Sequence, residues 1–183
     1  ANAGDVNNDG RPDILVGSWR ANPLGMDDAG AVYVFSGLDG SAIHFLRGEG
    51  PNHNFGYSVR GLGDIDADGF DDFIVGAHRA DLDSKTDVGA VYIYSGQLGN
   101  LLWVIVGEAT GDVFGVSVSA AGDMTLDGRP DFIVGAFGTD QLFRPDVGSA
   151  YLFGCSCDCT YNGDPAHDGV TDVLDVVGTV ADA

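Results

Sequence analysis

Gly63-Asp64-Ile65-Asp66-Ala67-Asp68-Gly69-Phe70-Asp71-Asp72 decides how this 183-residue chain is read. Carboxylates alternate at Asp64, Asp66 and Asp68, a glycine follows, and Asp72 closes the stretch. The same loop stands 59 residues earlier as Gly4-Asp5-Val6-Asn7-Asn8-Asp9-Gly10-Arg11-Pro12-Asp13. It returns 59 residues later as Gly122-Asp123-Met124-Thr125-Leu126-Asp127-Gly128-Arg129-Pro130-Asp131. The flanks keep the step: Gly30-Ala31-Val32-Tyr33, Gly89-Ala90-Val91-Tyr92 and Gly148-Ser149-Ala150-Tyr151, with Phe55-Gly56 matching Phe114-Gly115. A fixed period of this size marks stacked supersecondary units.

The middle copy gives the unit. Phe55 to Leu62 reads as a short strand, followed by the acidic loop. Asp72-Phe73-Ile74-Val75-Gly76-Ala77 is a continuous apolar run with β-branched residues, the pattern of a strand covered on both faces. After the polar loop 78–88 come two more strands, Ala90–Tyr94 and Leu101–Val106. Four antiparallel strands per repeat make a β-propeller blade. The first copy is expected to hold strands two to four only, and the third strands one to three. Turn residues at Thr160-Tyr161-Asn162-Gly163-Asp164-Pro165 stand where its fourth strand is due. The expected fold is therefore all-β: a partial propeller of about three blades, open as an arc, with ten strands. Blades fall near 1–50, 51–109 and 110–154, and residues 155–183 form a Cys-rich linker and tail. Because the chain begins inside a repeat, it reads as a piece of a longer one.

Composition excludes several functions. There are 28 acidic residues against 8 basic ones, a net charge of −20, which repels nucleic acid and anionic membrane surfaces. The apolar fraction of 44% is that of a globular protein, so the charge does not signal disorder. No apolar run is long enough to span a bilayer as a helix. The odd set Cys155, Cys157 and Cys159 leaves open a local disulfide with one spare thiol, an intermolecular bridge, or metal binding with His167.

The loops point to a hard cation. Side chains at positions 1, 3, 5 and 9 are Asp5, Asn7, Asp9 and Asp13 in the first loop and Asp64, Asp66, Asp68 and Asp72 in the second. Alternation turns their oxygens to one side, and the carbonyl at position 7, Arg11 or Phe70, adds another. Six to eight oxygens without His or Cys suit Ca²⁺ rather than zinc or copper. The third loop offers Asp123, Thr125, Asp127, Arg129 and Asp131, and Thr125 makes it the weakest. Position 12 of the second loop is Val75, not the bidentate glutamate of a helical EF-hand.

Taken together, Phe-Gly at 55–56 and 114–115, Gly-Ala at 76–77 and 135–136 (Gly17-Ser18 in the first copy) and the acidic loops between them resemble the FG-GAP repeat of integrin-α-like β-propellers. The resemblance covers residues 1–153 and lacks the proline after Gly-Ala. It implies calcium on the face carrying the strand 1–2 loops, partner binding on the opposite face, and an extracellular location, secreted or at the cell surface. Residues 158–183 resemble half of a type I dockerin. That would place calcium ligands at Asp164, Asp168, Asp172 and Asp175 and imply a cohesin-like partner, with Val176–Ala183 as a short helix.

No nucleophile elbow, phosphate loop or His-Glu-x-x-His is present, and His44, His53, His78 and His167 read as isolated surface or loop residues. The expectation is a calcium-binding module for adhesion or for protein or glycan interaction, not an enzyme. The alternative is a carbohydrate-binding propeller of a secreted, dockerin-bearing enzyme. The variable strand 2–3 loops, residues 19–29, 78–88 and 137–147, hold Arg20, Arg79, Lys85 and Arg144 and are the expected docking face for a protein or glycan.

Overall fold

The computed structural model describes residues 1–82, 84–139 and 148–154, and the backbone of the short strand Val173–Leu174. Among these residues, twelve strands form three antiparallel four-stranded sheets, each a meander. The first is β1 (Asn2–Gly4), β2 (Asp13–Ser18), β3 (Ala31–Phe35) and β4 (Ala42–Arg47). The second is β5 (Ser58–Gly63), β6 (Asp72–Ala77), β7 (Ala90–Tyr94) and β8 (Leu101–Val106). The third is β9 (Ser117–Gly122), β10 (Asp131–Ala136), β11 (Ser149–Phe153) and β12 (Val173–Leu174). These are blades of a partial propeller. First strands neighbour one another from sheet to sheet, β1 against β5 and β5 against β9, so they line the inner side of the arc.

Two expectations about strand number are corrected. The first blade does have a first strand, because Asn2 and Gly4 pair with Ile14 and Asp13. The third blade does have a fourth: β12 pairs with β11 through Leu152↔Leu174 and Phe153↔Val173. The turn-rich stretch after Phe153 hid it, since the pairing strand arrives later in sequence. The Phe-Gly pairs also lie outside the strands. β5 starts at Ser58, and Phe55 instead makes a parallel bridge to Gly30 of the preceding blade, as Phe114 does to Gly89.

The junction between blades explains these pairs. Phe55 and Phe114 are buried against the preceding blade. The N–H of Gly56 donates to the carbonyl of Gly76 (3.0 Å), and that of Gly115 to Gly135 (3.0 Å). Backbone of Gly56 lies directly on Gly17, and backbone of Gly115 on Gly76, so that a Cβ at Gly17 or Gly76 would overlap a carbonyl oxygen. Glycine at these sites is a matter of close approach between backbones.

Each junction has its own core. Blade 1 offers its back face, Leu15, Val32 and Val34, to the front face of blade 2, which carries Phe73, Val75, Ala77, Tyr92 and Tyr94. Blade 2 in turn offers Ile74, Val91 and Ile93 to Phe132, Val134, Ala136, Tyr151 and Phe153 of blade 3. Every residue of β6 is therefore buried, as its unbroken apolar sequence suggests. Burying one such large side chain stabilises by about 1.5–3 kcal/mol. Among the described residues, no helix is long and apolar enough to cross a membrane.

Candidate functional site

All three acidic loops join the first and second strands of their blades, on the same rim of the arc. Each is held by the carboxylates themselves. Asp5 accepts the N–H groups of Asp9 (3.0 Å) and Gly10 (2.8 Å). Asp64 accepts those of Asp68 (3.0 Å) and Gly69 (2.9 Å), and Asp123 those of Asp127 (3.1 Å) and Gly128 (3.0 Å). Asp9, Asp68 and Asp127 accept the N–H of Arg11, Phe70 and Arg129. Asn7 and Asp66 accept the N–H of Asp9 and Asp68. The fourth position is left-handed in every copy: Asn8 (φ 55°), Ala67 (φ 64°) and Leu126 (φ 61°). Sequence reading missed this strained position, although Asn8 was its signal, since Asn tolerates such a backbone better than Ala or Leu.

The closing aspartates differ from the rest. Asp13, Asp72 and Asp131 are buried. Asp72 takes the N–H of Ile65 (2.9 Å) and of Gly96 (2.9 Å), tying the loop to the β7–β8 turn. Asp13 does the same with Val6 and Gly37 (both 2.9 Å). Burial pushes the Asp72 carboxyl up to about 7, against these two hydrogen bonds and with a further rise from Asp66 and Asp68. Asp66 is also raised, by burial first and then by Asp68.

In the second loop, carboxylate oxygens of Asp64, Asp66 and Asp72 lie within 4.8 Å of one another. Mutually repelling hard-oxygen donors in a loop shaped by left-handed residues and Gly69 fit the coordination chemistry of Ca²⁺. In the first loop Asn7 stands in place of Asp66, which lowers the charge by one carboxylate. In the third, Thr125 turns inward: its N–H donates to Asp131 Oδ2 (2.9 Å) and its hydroxyl lies 3.3 Å from Asp131 Oδ1. The Arg129 guanidinium reaches across to the carbonyl of Ile65 (3.0 Å) in the second loop. Asp164, Asp168, Asp172 and Asp175, the half-dockerin reading with its cohesin-like partner, the Val176–Ala183 helix, the three cysteines and Arg144 all lie outside the described residues.

The strand 2–3 loops of the first two blades sit on the opposite rim, and residues 140–147 of the third lie outside the described residues. The Arg20 guanidinium lies 4.3 Å from the centre of the Trp19 ring, and Trp19 meets Tyr57 edge-on at 5.6 Å. Tyr57 in turn lies 4.0 Å from His78. Arg79 pairs with Asp87 (3.1 Å), and Lys85 donates to the carbonyl of Glu108 (2.6 Å). His167 lies outside the described residues, and the other three histidines are more integrated than isolated spacing suggested. His44 belongs to β4, and its Nε2 lies 2.6 Å from the Gly96 carbonyl of the next blade. Burial lowers the pKa of both His53 and His78. Trp103 packs against the second core.

A family model for the FG-GAP repeat matches residues 1–35 and 55–94. This chain carries FG-GAP repeats. Curated relatives agree: integrin alpha-5 of Xenopus laevis is 34% identical over 157 residues, covering 75% of this chain and 14% of that protein. Integrin alpha-7 of Homo sapiens is 41% identical over 153 residues, covering 76% of this chain and 12% of that protein. Integrin alpha-3 of Mus musculus is 38% identical over 144 residues, covering 72% and 13%. The chain thus spans a small part of the length of these relatives. Among solved structures, rhamnogalacturonan lyase YesW shares the fold, with a TM-score of 0.52 and 16% identity over 86% of this chain and 32% of that one. The FG-GAP chain therefore has its repeat architecture in common with integrin alpha subunits by sequence and with a lyase by fold alone.

Proposed function

We propose that this chain is an extracellular, calcium-binding FG-GAP module that engages a protein or glycan and carries out no catalysis. The observation that carries the reading is the second loop, where Asp64, Asp66 and Asp72 converge within 4.8 Å and two of them are raised by burial and mutual repulsion. A cation relieves that repulsion, and oxygen-only donors select calcium. The ligand set is Asp5, Asn7, Asp9, Asp13 and the Arg11 carbonyl in the first loop, and Asp64, Asp66, Asp68, Asp72 and the Phe70 carbonyl in the second. The third holds Asp123, Thr125, Asp127, Asp131 and the Arg129 carbonyl. Calcium fixes the loop rim and leaves the strand 2–3 rim for recognition. Similarity to integrin alpha subunits supports a protein ligand and a place outside the cell.

A glycan ligand is the second reading, favoured by the Trp19–Tyr57 pair with Arg20 above it, since aromatic faces suit sugar rings as well as cations. Calorimetric titration of calcium into the chelated chain tests the metal. Heat at two or three sites that is lost stepwise in Asp64→Ala and Asp5→Ala supports the reading, and no heat at millimolar calcium sinks it. A glycan array run beside an extracellular-protein array, with Trp19→Ala as control, separates the two ligand classes.

A further inference from the structure

Neighbouring acidic loops touch where one blade meets the next, and between the second and third loops the touch is charged. Pro130 of the third loop lies on Gly63, where a Cβ would meet Pro130 Cγ at 3.4 Å, and Arg129 Nη1 donates to the Ile65 carbonyl at 3.0 Å. Arg129 also belongs to its own loop, where its N–H donates to Asp127 Oδ1 (2.8 Å). The acceptor of the guanidinium is a neutral carbonyl, so the side chain keeps its charge for the carboxylates on either side of Ile65. Burial first, then Asp68 and Asp64, push the Asp66 carboxyl up, and the Arg129 charge is among the effects that oppose them. The 59-residue step puts Phe70 at this place in the second loop, and Phe70 brings no charge to the first.

We propose that Arg129 is a tethered counter-cation for the second loop, holding that loop in shape when it is empty and lowering its affinity for calcium. This rests on the reading of the loops as calcium sites. Asp64, Asp66, Asp68 and Asp72 give the second loop its negative charge. A bound Ca²⁺ offsets part of that charge and places a like charge near the arginine, so the attraction to Arg129 is weaker in the filled loop than in the empty one. A group that stabilises the empty state more than the filled state lowers affinity by the difference. The effect links two sites. The Arg129 carbonyl belongs to the ligand set of the third loop, so calcium that fixes the third loop also fixes the cation beside the second. The second and third sites therefore oppose one another, and by linkage each weakens the other equally. The donor set of the second loop still places it first, at an affinity below what its carboxylates alone would give.

Site-resolved calcium titration of the full chain by NMR at low salt tests this, with the amides of Gly10, Gly69 and Gly128 reporting the first, second and third loops. Arg129→Met is expected to tighten the second loop roughly fivefold, the size of a partly exposed charge contact, and to leave the first unchanged. Arg129→Lys keeps the charge and stays near wild type, and added salt narrows the gap between the methionine variant and wild type. Arg11→Met, the same change in the first loop, leaves the second as in wild type. In chelator, where no calcium takes part, hydrogen exchange at Gly69 quickens several-fold in Arg129→Met and that at Gly10 does not. Circular dichroism checks the fold, and Arg129→Gln serves in place of a methionine variant that fails to fold. A purely steric part for Arg129 moves the methionine and lysine variants alike and is blind to salt, and that pattern overturns the proposal. So does a change confined to the third loop, or a second loop that binds calcium with unchanged or weaker affinity in Arg129→Met. A wild-type chain silent to calcium at all three loops instead overturns the calcium reading itself, and the proposal with it.

Discussion

Asp71 and Asp5 exchange hydrogen bonds across the first junction. The Asp5 N–H donates to Asp71 Oδ2 (2.7 Å), and the Asp71 N–H donates to the Asp5 carbonyl (3.2 Å). The first residue of one acidic loop is thereby held by the next loop. Pro12 and Pro130 occupy the matching places in the other copies and have no N–H to offer, so this link exists at one junction only. Asp71→Ala removes a hydrogen bond to a charged acceptor, worth about 1.5–3 kcal/mol. Calcium affinity of the Asp5 loop is expected to fall roughly tenfold, with the Asp123 loop unaffected. Site-resolved titration by NMR checks it, and an unchanged Asp5 loop would refute the coupling.

Calcium removal lowers the melting temperature. A ligand bound only by the folded chain at a hundredfold excess over Kd stabilises by about 2.7 kcal/mol. For a chain of this length that is roughly 5–10 °C per filled site. Calorimetric scans with calcium and with excess chelator measure the shift, and coincident scans after confirmed metal removal count against bound calcium.

The loops rank by donor set. The Asp64 loop binds best, the Asp5 loop with Asn7 second, and the Asp123 loop last, because the inward-turned Thr125 is taken up by Asp131. Asp68→Ala therefore weakens total calcium binding more than Asp127→Ala. The reverse order in calorimetry would overturn the alignment of ligands.

Glycine at the junctions can be probed by adding one methyl group. Gly17→Ala and Gly76→Ala force a Cβ into a neighbouring carbonyl and are expected to cost about 3 kcal/mol or more each. At Gly135 a Cβ would first meet the Ser117 hydroxyl, which can rotate away, and Gly135→Ala is expected to cost under about 1 kcal/mol. Denaturant midpoints of the three variants give the comparison; equal losses would mean that the Phe-Gly contact is not what requires glycine.

Acid destabilises the chain through its histidines. Burial lowers the pKa of His78, beside Arg79, and of His53, where Asp81 and Glu49 partly oppose the effect. A histidine whose folded pKa lies below the unfolded value of about 6.5 supports the fold above that pH and loses that support as pH falls. At saturating calcium, the drop in melting temperature between pH 7.5 and 5.5 should shrink in His78→Gln. Imidazole titration midpoints at or above 6.5 by NMR would contradict the burial effect.

Periodicity made most of the fold legible. Asp72–Ala77, Ala90–Tyr94 and Leu101–Val106 are strands with the expected bounds, because each is rich in β formers and flanked by turn residues. The short β1 and β12 escaped because three or two residues are too few to show a pattern. The loop positions were legible for the same reason as the blades. Burial of the closing aspartates was not, since Asp72 is buried by its bonds to Ile65 and Gly96, and Gly96 lies 24 residues away. The aromatic pair Trp19–Tyr57 also joins residues from different blades, which no single repeat displays.

The front-to-back junction has a consequence for how such arrays grow. Each blade meets its neighbours through surfaces that it already possesses in common with every other copy. Duplicating or deleting a segment of 59 residues in frame leaves every remaining contact of a kind already selected. Lengthening the array is thus a matter of copying DNA, and the divergence that follows falls where the junction does not reach, in the loops at the two rims.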